Sequence, residues 1–341
     1  MGQTFRELTL GQEFYFQWHI TEQCNLRCKH CYHEKYESSG QLNLTSLLQV
    51  LDQIDNAVAK WGKLASLSIT GGEPLLRLEE LKSIVDHLEL KHHVYYFDIL
   101  TNGILLDEDI VSLLSRSNKL RRVQLSLEGP DDATNDMIRG RGSFRKIVNR
   151  IDLLKKKGIP VSVMVTLTRD NRKEIPSFVA LAKEIDVDYL SFERFIPQGN
   201  GTELKDQLLS REELRDAFEL ISKLAEQEKE VRILTYRPLF ALCSDNGGYG
   251  AMCSAGTNAL TIMHNGVVYP CRRLPLPLGH ILKDSLYKIW YDSEILWKIR
   301  DCRNLRGKCN GCELRPACRG CRAMAYFVNG DYLAEDPQCW K

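Results

Sequence analysis

Cys24, Cys28 and Cys31 stand close together in a C-x3-C-x2-C spacing. Three such thiolates can hold three irons of a [4Fe–4S] cube and leave the fourth iron open, and an open iron is a place to bind and break a substrate. Zinc is the alternative, with His30 or His33 as fourth ligand. Twelve cysteines occur in the 341 residues, and in a reducing compartment close cysteine pairs argue for metal rather than disulfides. Their distribution is uneven: three precede residue 32, none falls between 32 and 242, and nine follow from 243 onward. In the later set Cys253 is followed after twelve residues by Gly266 and after four more by Cys271. Then come Cys309, Cys312, Cys318 and Cys321 as C-x2-C-x5-C-x2-C, and Cys339 near the end. Taken alone, this tail also suits structural zinc.

Chemistry at these residues needs a frame. Between residues 32 and 242 apolar, β-rich runs alternate with helical patterns. The runs cover 14–21, 65–70, 94–101, 121–127, 160–168 and 188–195; the helical patterns lie near 44–60, 77–90, 107–117, 143–157, 172–185 and 210–229. Six such units imply an α/β fold with a parallel sheet and right-handed crossovers, curled into a partial (β/α)6 TIM-type barrel. Function then belongs at the C-terminal ends of the strands. Cys24 follows the first run, Gly71 the second and Asn102 the third, while Ser126 and Glu128 close the fourth. The expected division is a barrel over 1–235 and a small cysteine-rich module over 236–341, which needs bound metal to fold.

Composition removes several partners. Net charge is +1, with 46 Lys and Arg against 45 Asp and Glu. That balance gives no electrostatic footprint for nucleic acid and no basic tail for an anionic membrane. No apolar run reaches the ~18 residues of a spanning helix. The first sixteen residues carry charges in place of the apolar stretch of a signal peptide. A cytoplasmic protein is expected.

Gly71-Gly72-Glu73-Pro74, read alone, is only a turn. Placed one β/α unit after the cysteine triplet, it resembles a segment of the radical S-adenosylmethionine (SAM) enzyme superfamily. The resemblance implies that Cys24, Cys28 and Cys31 hold a catalytic cluster whose open iron is chelated by the amino and carboxylate groups of SAM. It also implies that Gly71, Gly72, Glu73 and Pro74 contact the methionine amino group. One electron then cleaves the sulfonium bond, and the resulting 5′-deoxyadenosyl radical abstracts a hydrogen atom. Thr101-Asn102-Gly103 matches a further segment. Ser126-Leu127-Glu128-Gly129 resembles the segment near the ribose and carboxylate of SAM; Ser126 as a helix cap is the alternative. Arg139 is assigned to the SAM carboxylate, which a guanidinium can bind bidentately; a solvated surface arginine is the alternative. Glu193 and Arg194 end the sixth run as a structural ion pair or as site residues.

The tail is similar to the seven-cysteine SPASM extension of this superfamily. That implies two auxiliary clusters, hence three [4Fe–4S] clusters in all. Cys253, Cys271 and Cys321 correspond to ligands of the first, and Cys309, Cys312, Cys318 and Cys339 to those of the second. Cys243 is the candidate to complete the first, which otherwise has an open iron. Cys302 is read as a buried structural thiol. An electron donor such as flavodoxin or ferredoxin is implied.

The Cys318–Cys321 gap and the Glu335-Asp336-Pro337 run resemble SPASM enzymes of peptide-cofactor maturation and of heme-type tetrapyrrole pathways. The main expectation is a maturase-type oxidation or cross-linking of a peptide or protein side chain. Cys24 comes too early for an N-terminal leader-binding domain, so a separate peptide-recognition protein is expected, unless the substrate is a folded protein. The alternative substrate is a small molecule such as a tetrapyrrole, oxidised or decarboxylated at a propionate. Arg272 and Arg273 would meet its carboxylates, or form a solvated pair. A non-catalytic iron–sulfur carrier is a third reading, and it requires a fourth cysteine beside the triplet.

Overall fold

The computed structural model describes residues 12–243 and 252–341. Its first six strands are β1 (Glu13–His19), β2 (Leu64–Thr70), β3 (Val94–Thr101), β4 (Leu120–Ser126), β5 (Val161–Leu167) and β6 (Tyr189–Arg194). Between and after them run α1 (Leu44–Lys60), α2 (Leu78–Glu89), α3 (Glu108–Leu114), α4 (Asp132–Arg139), α5 (Ser143–Lys156), α6 (Ile175–Glu184) and α7 (Arg211–Gln227). A short β7 (Arg232–Leu234) follows. Neighbouring strands from β1 to β7 pair in parallel and in chain order. This is the partial barrel expected from the alternation of runs.

Local chemistry sets the ends of these elements. Asn43 caps α1 by accepting the Ser46 N–H at 2.9 Å, and Asp107 does the same for Ile110 at the start of α3. Ser210 and Glu213 form a reciprocal capping box on α7. On α1 the residues Leu47, Val50, Leu51, Ile54 and Val58 are buried, a single stripe laid on the sheet. Strand β1 supplies the other side of that core through Phe14, Phe16 and Trp18, which alternate with Tyr15 and Gln17.

The opposite face of the sheet is polar. Register aligns Tyr15 with Ser66 and Tyr96, and one step on, Gln17 with Ser68 and Asp98. Gln124 lies beside Ser162, and Thr166 beside Glu193. Strands buried on both sides but polar on one make a cup lined with hydrogen-bonding groups.

Two features depart from the sequence reading. Helix α4 lies outside the helical patterns read from the sequence; Asp131 caps it by accepting the Thr134 N–H at 2.9 Å, and Gly140 ends it at φ +108°. The tail also extends the main sheet. Strand β8 (Ala259–Ile262) pairs in parallel with β1, and β9 (Val267–Tyr269) and β10 (Gly279–His280) follow antiparallel. The sheet therefore crosses the expected boundary at 235/236. Without β8, the edge of β1 would present unpaired backbone groups. Helices α8 (Leu286–Tyr291), α9 (Glu294–Arg300) and α10 (Arg322–Asn329) lie in the described tail, with a single helical turn at Lys308–Gly311. Among the described residues no helix is long and apolar enough to cross a membrane.

Candidate active site

The cysteine triplet and the glycine turn meet at one end of the barrel because β1 and β2 are neighbours. Gly72 N–H donates to Thr21 O at 3.0 Å, and Glu73 N–H to Gln23 O at 2.8 Å. A β-carbon on Gly72 would lie 2.3 Å from Gln23 O, and one on Gly71 the same distance from Thr21 O. Only glycine lets the turn lie this close to the chain leading into Cys24. Glu73 is fully buried. Its Oε1 accepts from Leu75 N–H at 3.1 Å and from the Thr101 hydroxyl at 2.7 Å, and its Oε2 from Asn102 N–H at 2.8 Å. Burial pushes its pKa up against these hydrogen bonds. Glu73 thus locks the turn after β2 to the end of β3. Pro74 opens the short 3-10 turn that follows.

Asn102 turns back to the cysteine loop, donating through Nδ2 to Asn25 Oδ1 at 2.7 Å and to Cys24 Sγ at 3.7 Å. Cys24 Sγ also accepts the Leu26 N–H at 3.4 Å, and Cys31 Sγ the His33 N–H at 3.4 Å. Burial, with the nearby charges of Glu73, Cys28 and Cys31, pushes the Cys24 thiol up to about 11. Burial also raises Cys28, while Arg139 works against it. The three thiols therefore share one electrostatic environment.

Arg139 is buried, which removes the solvated alternative. Helix α4 carries it inward, and Ile138 O receives the Lys29 N–H at 3.1 Å. Its Nη1 donates to Glu128 Oε1 at 3.0 Å, and its Nε has no partner among the described residues. Glu128 is held further by His30 Nε2 at 3.0 Å and by Thr166 N–H at 2.8 Å. Burial pushes the Glu128 pKa up, but the His30 and Arg139 charges and the Thr166 bond outweigh it and hold it below the usual value. Ser126 closes β4 and caps no helix; Asp131 does that. Beside these groups a cleft of about 360 Å³ opens between His30, Ile138, Thr166 and Asn171. Asn135 and Asn171 also brace Glu128 through its backbone N–H and C=O. Neither asparagine stood out in the sequence, and His30 did so only as a zinc ligand.

In the tail, Cys309, Cys312, Cys318 and Cys339 line one cavity of about 330 Å³ with Leu239, Leu242 and Leu314. Cys271 is raised to about 11 by burial first, with the charges of Cys253 and Cys321 adding to it. Cys243 is not among the residues that line the four-cysteine cavity. It follows a turn whose Phe240 ring stacks on Phe218 of α7 at 3.9 Å, and its thiol meets Ser222 and Glu219 of the same helix. Half-buried Cys302 packs with Cys309, Leu305 and Leu333.

Glu193 and Arg194 do not pair with each other. Neighbours on a strand point to opposite faces, and each finds its own partner beyond the barrel. Glu193 binds Arg237 and, through Oε2, Arg273 Nη2 at 3.1 Å. Arg194 makes a bidentate pair with Asp336 at 3.1 and 2.9 Å and also reaches Gln338 at 3.1 Å. Asp336 Oδ2 in turn accepts the Cys321 N–H at 2.7 Å. Arg272 and Arg273 are held by protein groups as well, so the solvated-pair alternative fails.

Known proteins share this layout. Residues 18–182 match the Radical SAM superfamily, and residues 253–322 match SPASM, an iron–sulfur cluster-binding domain. The AdoMet-dependent heme synthase of Methanosarcina barkeri is 31% identical, over 94% of this chain and 95% of its own. The mycofactocin maturase MftC of Mycolicibacterium smegmatis is 29% identical, over 94% and 81%. Streptococcus suis SuiB bound to precursor peptide SuiA superposes with a TM-score of 0.78 at 21% identity, covering 98% of this chain and 78% of that one. An enzyme that works through SAM and [4Fe–4S] chemistry is thereby defined. The chain belongs to the radical SAM superfamily and carries its SPASM extension. The zinc and electron-carrier readings fall with that assignment.

Proposed function

We propose that Cys24, Cys28 and Cys31 hold the SAM-binding cluster, and that the enzyme takes a hydrogen atom from a peptide or protein side chain to oxidise or cross-link it. The observation that carries the site is the convergence of the cysteine loop, the Gly71–Glu73 turn and buried Arg139 at one rim of the barrel. Two observations support such a cluster: the charges of Cys28 and Cys31 act on Cys24, and Arg139 Nε has no partner among the described residues. When bound, the cluster and SAM supply a one-electron cleavage that yields a 5′-deoxyadenosyl radical. The protein's own part is positional. Gly71 and Gly72 set the turn against the cysteine loop, with Pro74 directing the chain onward. Glu73 and Asn102 fix that turn to β3. Arg139 places positive charge beside Cys28 and has one N–H to offer a carboxylate. Ser126 and Glu128 complete this wall.

The same reading gives the tail two further clusters, three in total. Cys253, Cys271 and Cys321 bind one, and Cys309, Cys312, Cys318 and Cys339 the other. The cavity bordered by the latter four supports their grouping. Residues 1–235 and 236–341 then divide labour rather than fold apart. Flavodoxin or ferredoxin supplies electrons, and a separate protein delivers the peptide.

Oxidation of a tetrapyrrole propionate is the second reading, favoured by the 31% identity to a heme synthase. Incubation of the reconstituted enzyme with SAM, reductant and either a propionate-bearing iron porphyrin or the peptide encoded beside its gene separates the two. The expected product is a peptide of altered mass. Carbon dioxide loss from the porphyrin, with the peptide unchanged, overturns the main reading in favour of the second.

A further inference from the structure

Two loops from opposite ends of the chain meet over one buried side chain, Arg272. It directly follows Cys271, while Tyr32 and His33 directly follow Cys31. Arg272 Nη2 lies 3.4 Å from His33 Nδ1, and its guanidinium carbon stands 4.2 Å from the centre of the Tyr32 ring. His33 Nε2 lies 3.3 Å from Gly71 O. A guanidinium can only donate. His33 Nδ1 must therefore accept from Arg272, and His33 Nε2 must carry the hydrogen given to Gly71. One tautomer satisfies both contacts. Glu22 Oε1 stands farther from Nδ1, at 3.7 Å. His33 and Arg272 are both buried, and a buried polar group that loses its partner bears the full cost of desolvation.

We propose that Arg272 is a positioning residue that joins the auxiliary-cluster loop to the SAM site. It stacks on Tyr32, orients His33, and through His33 fixes the carbonyl of Gly71 in the turn that meets SAM. This rests on the reading of Cys24, Cys28 and Cys31 as the SAM-binding cluster. Guanidinium is required because stacking on an aromatic face and donating from a rigid fork are combined only there.

The test compares wild type, Arg272→Gln, Arg272→Lys and His33→Asn as full-length, anaerobically reconstituted protein. Three quantities are read: iron per chain, SAM affinity, and the change that SAM produces in the electron paramagnetic resonance spectrum of the reduced protein. Arg272→Gln should keep the iron and the tail-cluster signals, bind SAM about tenfold more weakly, and give an altered SAM-bound spectrum. Arg272→Lys keeps the charge but not the fork and should stay defective. His33→Asn keeps an acceptor near Arg272 but cannot reach Gly71, and should reproduce the SAM defect even if Arg272→Gln fails to fold. Wild-type SAM affinity and spectrum in His33→Asn, or in a folded Arg272→Gln, overturn the proposal. A wild type whose spectrum ignores SAM overturns the underlying site reading instead.

Discussion

At the rim, the loop of Cys24, Cys28 and Cys31 is held by backbone contacts too close for any side chain, at Gly71 and Gly72. In the tail, Cys321 is held through charge that ties β6 to the cysteine-rich segment, in Arg194–Asp336 and Glu193–Arg273. The rim also leaves Arg139 Nε without a partner among the described residues, whereas four tail cysteines share one cavity with Leu239, Leu242, Leu314 and charged Arg315, Arg319 and Asp336. Steric fit shapes the rim, and ionic fit ties the tail to the barrel. A buried ion pair is costly to break because removing one partner strands the other in low dielectric.

Breaking the tail should do the most damage. Asp336→Ala leaves Arg194 uncompensated and removes the acceptor of the Cys321 N–H, with an expected loss of ~3–5 kcal/mol. A drop in thermal midpoint of the reconstituted protein, with iron falling toward about four per chain, is the expected result. Next comes Gly72→Ala. Its β-carbon must displace Gln23 O, so SAM affinity should fall at least about tenfold while tail iron stays bound; isothermal titration with SAM checks this. Glu73→Gln keeps the shape but can no longer accept at both oxygens, for a loss of roughly 1–3 kcal/mol. The matching readout is increased amide exchange at Leu75 and Asn102. Smallest of all is Cys243→Ser, which should leave iron content and every cluster spectrum unchanged, because Cys243 faces α7. Loss of four irons in that variant would return Cys243 to the auxiliary site.

Much of this was legible in the chain. The six runs and their helices were readable because β-rich stretches alternate with helical patterns. The rim was readable because motif residues fall just after strands. What escaped has a common cause. Helix α4 is short and polar, with an N-cap aspartate but no apolar stripe to announce it. The pairing of β8 with β1 joins residues far apart in sequence, and no local pattern encodes it. The same holds for Arg194 with Asp336 and for Arg272 with His33.

The central claim is that the cluster at the rim does the chemistry and two auxiliary clusters lie behind it. Iron content and 5′-deoxyadenosine, measured together in wild type and in the combined Cys24→Ala, Cys28→Ala and Cys31→Ala variant, address it most directly. Three four-iron clusters predict about twelve irons per chain in wild type and about eight in the variant. 5′-Deoxyadenosine should form from SAM and reductant in the first and be absent in the second. Persistent 5′-deoxyadenosine in the variant, or a wild type holding only about four irons, would contradict the claim.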